Sequence, residues 1–169
     1  MFGFFLAGAK NMYKRILIAV DGSETSNKAL SAALEMVSDS GGKSVIALIH
    51  VLDEMAYFTG IDPYAGQAYS VTSLMREAGE KILADALKIV QSAGVQGETV
   101  LVDRLGERLA ETVAAKAVAW DASLVVVGTH GRRGIGRMLM GSDAEQIIRL
   151  APCPVLVVRF SDDAKPAKA

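Results

Sequence analysis

Gly128, Gly131, Gly141 and Ser142 stand in the order G-x2-G-x9-G-S, and the stretch between them carries Arg132, Arg133 and Arg137 with no acid. Those residue types suit phosphate chemistry. A glycine directly after an apolar run lets the backbone turn sharply and approach a ligand without interference from a Cβ. Gly141-Ser142 opens a helical pattern, and the unpaired amides and dipole of a helix start favour anions. Arginines add charge-assisted donors suited to β- and γ-phosphates.

Each of these residues also has a reading without a ligand. Ser142 and Glu145 make an S-x-x-E capping box, compatible with phosphate contact but sufficient on its own to start a helix. The arginines can be solvated loop charges. Asp21 follows the apolar run Ile16–Val20 and can be a turn residue or a ligand contact at a strand end. His130 has no visible set of partners for metal or catalytic work. Trp120 reads as a packing residue at a helix end. Gly131 and Gly136 have Walker A spacing, but Arg137-Met138 stands where that loop needs Lys and Ser or Thr. Gly134-x-Gly136 lacks the third glycine of the dinucleotide fingerprint and falls too late in the chain. The loop is neither of those two motifs.

The elements that must position the loop follow from periodicity. Ile16–Val20 is an uninterrupted apolar run, as expected of a parallel strand buried on both faces. Asp21-Gly22-Ser23 then turns the chain, with Ser23 as N-cap of a helix carrying Leu30, Ala33, Leu34 and Val37 on one stripe. Gly41-Gly42 ends that helix. A second strand is predicted over Ser44–Val51, followed by a long loop over Leu52–Val71, which is a candidate cover for the site. A helix over Ser73–Ala93 places Ala78, Ile82, Ala86 and Ile89 together, with Gly94 as its stop. Strands are predicted at Glu98–Val102, Leu124–Val127 and Val155–Arg159, and helices at Glu107–Ala119 and Asp143–Leu150. This alternation predicts an open five-stranded parallel sheet with helices on both faces. Such a sheet binds ligands beyond its C-terminal strand ends where strand order reverses. The two most apolar strands end at Asp21 and Gly128, which flank the crevice if those strands are neighbours.

Composition narrows the functional classes. The 169 residues are enough for one domain with a full core, 51% are apolar, and the net charge of −1 argues against a nucleic-acid-binding protein. Cys153 is the single cysteine, so no internal disulfide forms and a reducing, cytoplasmic setting is expected. It reads as a small core residue. The apolar start, residues 1–13, is too short to span a bilayer and reads as an extension, with Met12 as an alternative start. A membrane-touching anchor is the other reading of it. Residues 161–169 read as a frayed tail.

Three separated segments resemble one family. Lys14–Ser23, Val125–Gly131 and the stretch from Gly141-Ser142 to Ala151-Pro-Cys-Pro-Val-Leu-Val-Val-Arg159 are similar to the first strand and closing signature of universal stress proteins. The glycine spacing is similar to that of the ATP-binding branch, and the resemblance covers about residues 14–160. It implies a Rossmann-like fold of the adenine-nucleotide α-hydrolase type, which dimerises through the last strand. Pro152 and Pro154 suit that strand as an edge. It also implies ATP, with AMP or ADP as alternatives, and Mg2+ or Mn2+ held through the phosphates. Asp21 and Val51 would lie near adenine and ribose, and Gly128, Gly131, Gly141 and Ser142 near ribose and phosphates. Ala19, Val20, Val127, Arg132, Arg137 and Asp143 complete the implied site. Asp143 departs from the pattern, since ATP-binding relatives carry a small apolar residue there. An inward carboxylate would weaken ATP or favour AMP, whereas an outward one would complement the helix dipole.

The expected function is nucleotide-dependent regulation in stress response, without a catalytic residue and with a protein partner still to be identified. Two alternatives stand beside it. One is a slow metal-dependent ATPase or phosphotransferase using His130, Asp21 or Asp143. The other is a nucleotide-free module whose arginine loop binds an acidic partner.

Overall fold

The computed structural model describes residues 13–39, 41, 43–52, 68–103, 108–129 and 140–159. Five strands, β1 (Arg15–Ala19), β2 (Val45–Val51), β3 (Gln96–Val102), β4 (Leu124–Gly128) and β5 (Val155–Val158), form one sheet. Its order is β3-β2-β1-β4-β5, and every neighbouring pair is parallel. The described helices are α1 (Glu24–Asp39), α2 (Ala68–Ser92), α3 (Leu109–Ala119) and α4 (Ser142–Leu150).

Alternation along the strands divides the core into two layers. Ile16, Ile18, Ile46, Leu48, Leu124 and Val126 pack with α1 and α2 on one face. Leu17, Ala47, Ile49, Val125 and Val127 pack with α3 and α4 on the other. Fully burying an aliphatic side chain of this size contributes about 1.5–3 kcal/mol, which explains why β4 throughout, and β1 beyond its first residue Arg15, carry no polar side chain. The expected doubly covered parallel sheet is the fold observed. Among the described residues, no helix is long and apolar enough to cross a membrane.

The helix boundaries follow local chemistry. Ser23 caps α1, its Oγ accepting from the Ser26 amide at 3.2 Å. Gly41 and Gly94 take left-handed φ values of +87° and +72° just beyond α1 and α2, where side-chain-bearing residues are strained. Trp120 is buried at the end of α3 with the Arg15 guanidinium 4.1 Å above its ring. Arg15 Nε also donates to the Trp120 carbonyl at 2.6 Å.

α2 differs from expectation at two points. It starts at Ala68, five residues before the predicted Ser73, because nothing between Ala68 and Thr72 is a glycine or proline. Its buried stripe is Met75, Leu83, Ala86 and Val90, while Ile89 is 46% exposed. Gly79 sets that rotation. A Cβ on Gly79 would sit 2.8 Å from Leu101 Cδ1 and 2.9 Å from His50 Cδ2, so the helix approaches the sheet most closely there. Residues 53–67, most of the predicted cover loop, lie outside the described residues, as do 1–12 and 160–169.

Candidate functional site

The strand order puts β1 beside β4, so the reversal in connection order falls between them. Ligands of open parallel sheets bind beyond that point. The chain leaves β1 at Ala19 and β4 at Gly128, and the neighbouring β2 ends at Val51. The anticipated strand ends therefore converge.

On the β1 side the turn is ordered by its own side chains. Asp21 Oδ1 accepts from the Ser23 amide at 2.9 Å, and the Asp21 amide donates to Ser26 Oγ at 3.2 Å. Gly22 lies between them at φ +79°, a left-handed conformation. Asp21 is thus a turn residue in fact as well as a candidate ligand contact. Val20 and Val127 are 5% and 3% exposed, so their side chains belong to the core. The Val20 amide donates to the Ile49 carbonyl at 2.9 Å, and the Val20 carbonyl lies 2.6 Å from His50 Nδ1. Ala19 and Val51 are partly buried strand ends.

On the β4 side, the missing side chain of Gly128 makes room for the protein itself. A Cβ there would meet Thr25 Cγ2 at 2.8 Å and the Thr25 backbone carbon at 3.1 Å. The first turn of α1 thereby lies directly on the end of β4. Thr129 is 5% exposed, donates its amide to Val158 O at 2.9 Å and accepts the Gly141 amide at 2.8 Å. That last bond closes the base of the glycine loop, so the start of α4 is tied to the end of β4. His130, Gly131, Arg132, Arg133 and Arg137 lie outside the described residues.

The start of α4 corrects one expectation. Ser142 does not cap the helix and forms no capping box. Gly141 is the N-cap, at φ −64° and ψ 148° with no side-chain cap bond, and Ser142 is the first helical residue. Because the Gly141 amide is pinned to Thr129, the helix begins one residue too early for the Ser142 hydroxyl to reach the capping position. Glu145, instead of reaching back, accepts from Arg149 at 2.7 Å. Ser142→Ala should therefore change the unfolding free energy by less than about 0.5 kcal/mol, against about 1 kcal/mol for a true N-cap. A urea titration reads the difference, and a loss of a full kcal/mol would restore the capping box.

What remains at this helix start is a set of first-turn amides with no side chain from the N-cap to satisfy them, the arrangement that favours an anion. Asp143 is exposed in the same turn, where a carboxylate complements the dipole. Burial pushes the Cys153 thiol above its ordinary value, and a hydrogen bond involving the Val125 backbone pulls partly the other way. A thiol so shifted is a poor nucleophile. Among the described residues no three His, Cys, Asp or Glu side chains gather as a metal centre requires.

The chain can be compared with known proteins on this geometry. The family model described as the universal stress protein family matches residues 12–159. A universal stress protein of Methanocaldococcus jannaschii is 32% identical, over 91% of this chain and 86% of its own length. The crystal structure of a universal stress protein family member from Burkholderia pseudomallei is 34% identical with a TM-score of 0.67, covering 86% of this chain and 96% of that one. The universal stress protein of Archaeoglobus fulgidus in complex with dAMP shares the fold at a TM-score of 0.63 and 24% identity, covering 87% of this chain and 98% of its own.

Proposed function

The chain belongs to the universal stress protein family, and on that premise we propose that it is an ATP-binding regulatory protein of stress response. Nucleotide occupancy would act by changing dimer or partner interactions. The observation that carries this reading is that two helix starts are held at the end of β4, beside the end of β1: Thr25 of α1 lies against Gly128, and Gly141 at the head of α4 is bonded to Thr129. In this reading the two helix dipoles and the first-turn amides of α4 serve one ligand, and a chain of phosphates is the ligand that uses both. The dAMP in the Archaeoglobus fulgidus structure supports an adenine nucleotide as the ligand class.

In this reading Asp21 and Val51 hold the adenosine end, while Gly128, Gly131, Gly141 and Ser142 line ribose and phosphates. Arg132 and Arg137 neutralise phosphate charge, and Mg2+ or Mn2+ enters with the nucleotide. The residues fit such a ligand because the α4 amides have no side-chain cap and the loop base is fixed by the Thr129–Gly141 bond. The Asp21 carboxylate already serves the turn, which suits a binding residue better than a catalytic base. Dimerisation through β5 accords with its place at the sheet edge. The cytoplasm is the compartment proposed.

Mass spectrometry of the small molecules released from freshly purified protein tests the proposal. An adenine nucleotide at near-stoichiometric yield is expected. Protein that releases none, and takes up none from millimolar Mg-ATP, would leave the nucleotide-free interaction module as the reading.

A further inference from the structure

We infer that His50 is a positioning residue for the nucleotide site, fixing the exit of β1 through the Val20 carbonyl and coupling it to α2. The inference rests on the nucleotide-binding reading for its functional consequence. His50 is the penultimate residue of β2, is 7% exposed, and interrupts an otherwise apolar strand. Its Nδ1 lies 2.6 Å from the Val20 carbonyl oxygen. A carbonyl can only accept, so Nδ1 carries the proton and donates. The distance is at the short end for an N–H···O bond.

The preceding residue of β2 completes the grip, since the Ile49 carbonyl accepts the Val20 amide at 2.9 Å. Two consecutive residues of β2 therefore hold both polar groups of Val20. Val20 is the last residue before Asp21, whose carboxylate then orders Ser23 and the start of α1. On its other side the imidazole meets α2, where a Cβ on Gly79 would lie 2.9 Å from His50 Cδ2 and 3.0 Å from Leu52 Cδ2. The ring is held between the helix backbone and the end of β1. Moving straight back from the Val20 carbonyl would drive Cδ2 toward the Gly79 backbone, so the proposed role couples the position of α2 to the Asp21 turn.

A histidine that merely fills the core predicts a different order of mutant effects. Leu keeps most of the imidazole bulk and loses the donor. Asn loses bulk, yet its Nδ2 occupies the place of Nδ1 and can donate to the same carbonyl. If His50 positions the turn, His50→Leu loses about tenfold in adenine-nucleotide affinity, the scale of one buried hydrogen bond, and its Asp21, Gly22 and Ser23 amide resonances move. His50→Asn then stays within about threefold of wild type and keeps those resonances, although the smaller side chain melts at lower temperature. The wild-type imidazole should show a protonated Nδ1 in long-range 15N–1H spectra, a readout that needs no variant to fold. An unprotonated Nδ1, or a His50→Leu variant with wild-type affinity and turn resonances, would overturn the inference. Wild-type protein that binds no adenine nucleotide overturns the functional reading instead. The tautomer and turn resonances still decide whether His50 holds the turn.

Discussion

Replacing Gly128 by Val is expected to lower the unfolding free energy by about 2–3 kcal/mol, the cost of forcing atoms into space that Thr25 already fills. Gly128 is not among the glycines with left-handed φ, so the cost is steric rather than conformational. The Thr25 methyl, 2.8 Å from the new Cβ, can rotate away, but the Thr25 backbone carbon at 3.1 Å moves only if the start of α1 moves. Valine adds two further methyls at the same place. Gly128→Ala should cost about 1 kcal/mol, because the methyl rotation relieves most of a single-carbon clash. Urea denaturation of the three proteins measures the series. A valine variant within about 0.5 kcal/mol of wild type would show that the end of β4 has slack that its packing against Thr25 excludes.

Asp21→Ala is expected to reduce adenine-nucleotide affinity by about 10–100-fold, the range for losing a charged hydrogen-bonding partner. The same change removes the acceptor of the Ser23 amide and should cost about 1 kcal/mol of stability. Asp21→Asn separates the two effects. Asparagine Oδ1 can still accept from Ser23 and maintain the turn, while the negative charge is gone. The expected pattern is near-normal stability with weakened nucleotide binding for Asn, and losses in both for Ala. Calorimetric titration and thermal melting on the same preparations give both quantities. If both variants bind nucleotide like wild type, Asp21 is a turn residue alone.

Much of this architecture was legible in the sequence because buried parallel strands and left-handed stops leave local marks. The runs Ile16–Val20 and Leu124–Val127 are apolar without a break, and Gly41 and Gly94 sit where their helices end. What was not legible depended on partners distant in the chain. The buried stripe of α2 is set by Gly79 against Leu101 and His50, so the helical period alone chose Ile89 over Val90. The start of α4 is set by a bond from Gly141 to Thr129, which made the S-x-x-E pattern of Ser142 and Glu145 misleading. Gly128 was read for what a ligand would need, and its space is occupied by Thr25. His50 was missed as a functional candidate. Its signal was a single polar residue in the run Val45–Val51, where a buried strand tolerates one only if it finds a partner.

The central claim is that an adenine nucleotide binds at the adjoining ends of β1 and β4. A 15N–1H spectrum recorded during titration with Mg-ATP tests it most directly. The expected result is movement of the amides of Asp21, Gly22, Gly128, Thr129 and Gly141 through Asp143, with Arg15 and Trp120 at the opposite end of the sheet unmoved. A spectrum that does not respond, or one whose changes centre on Arg15 and Trp120, would contradict the account.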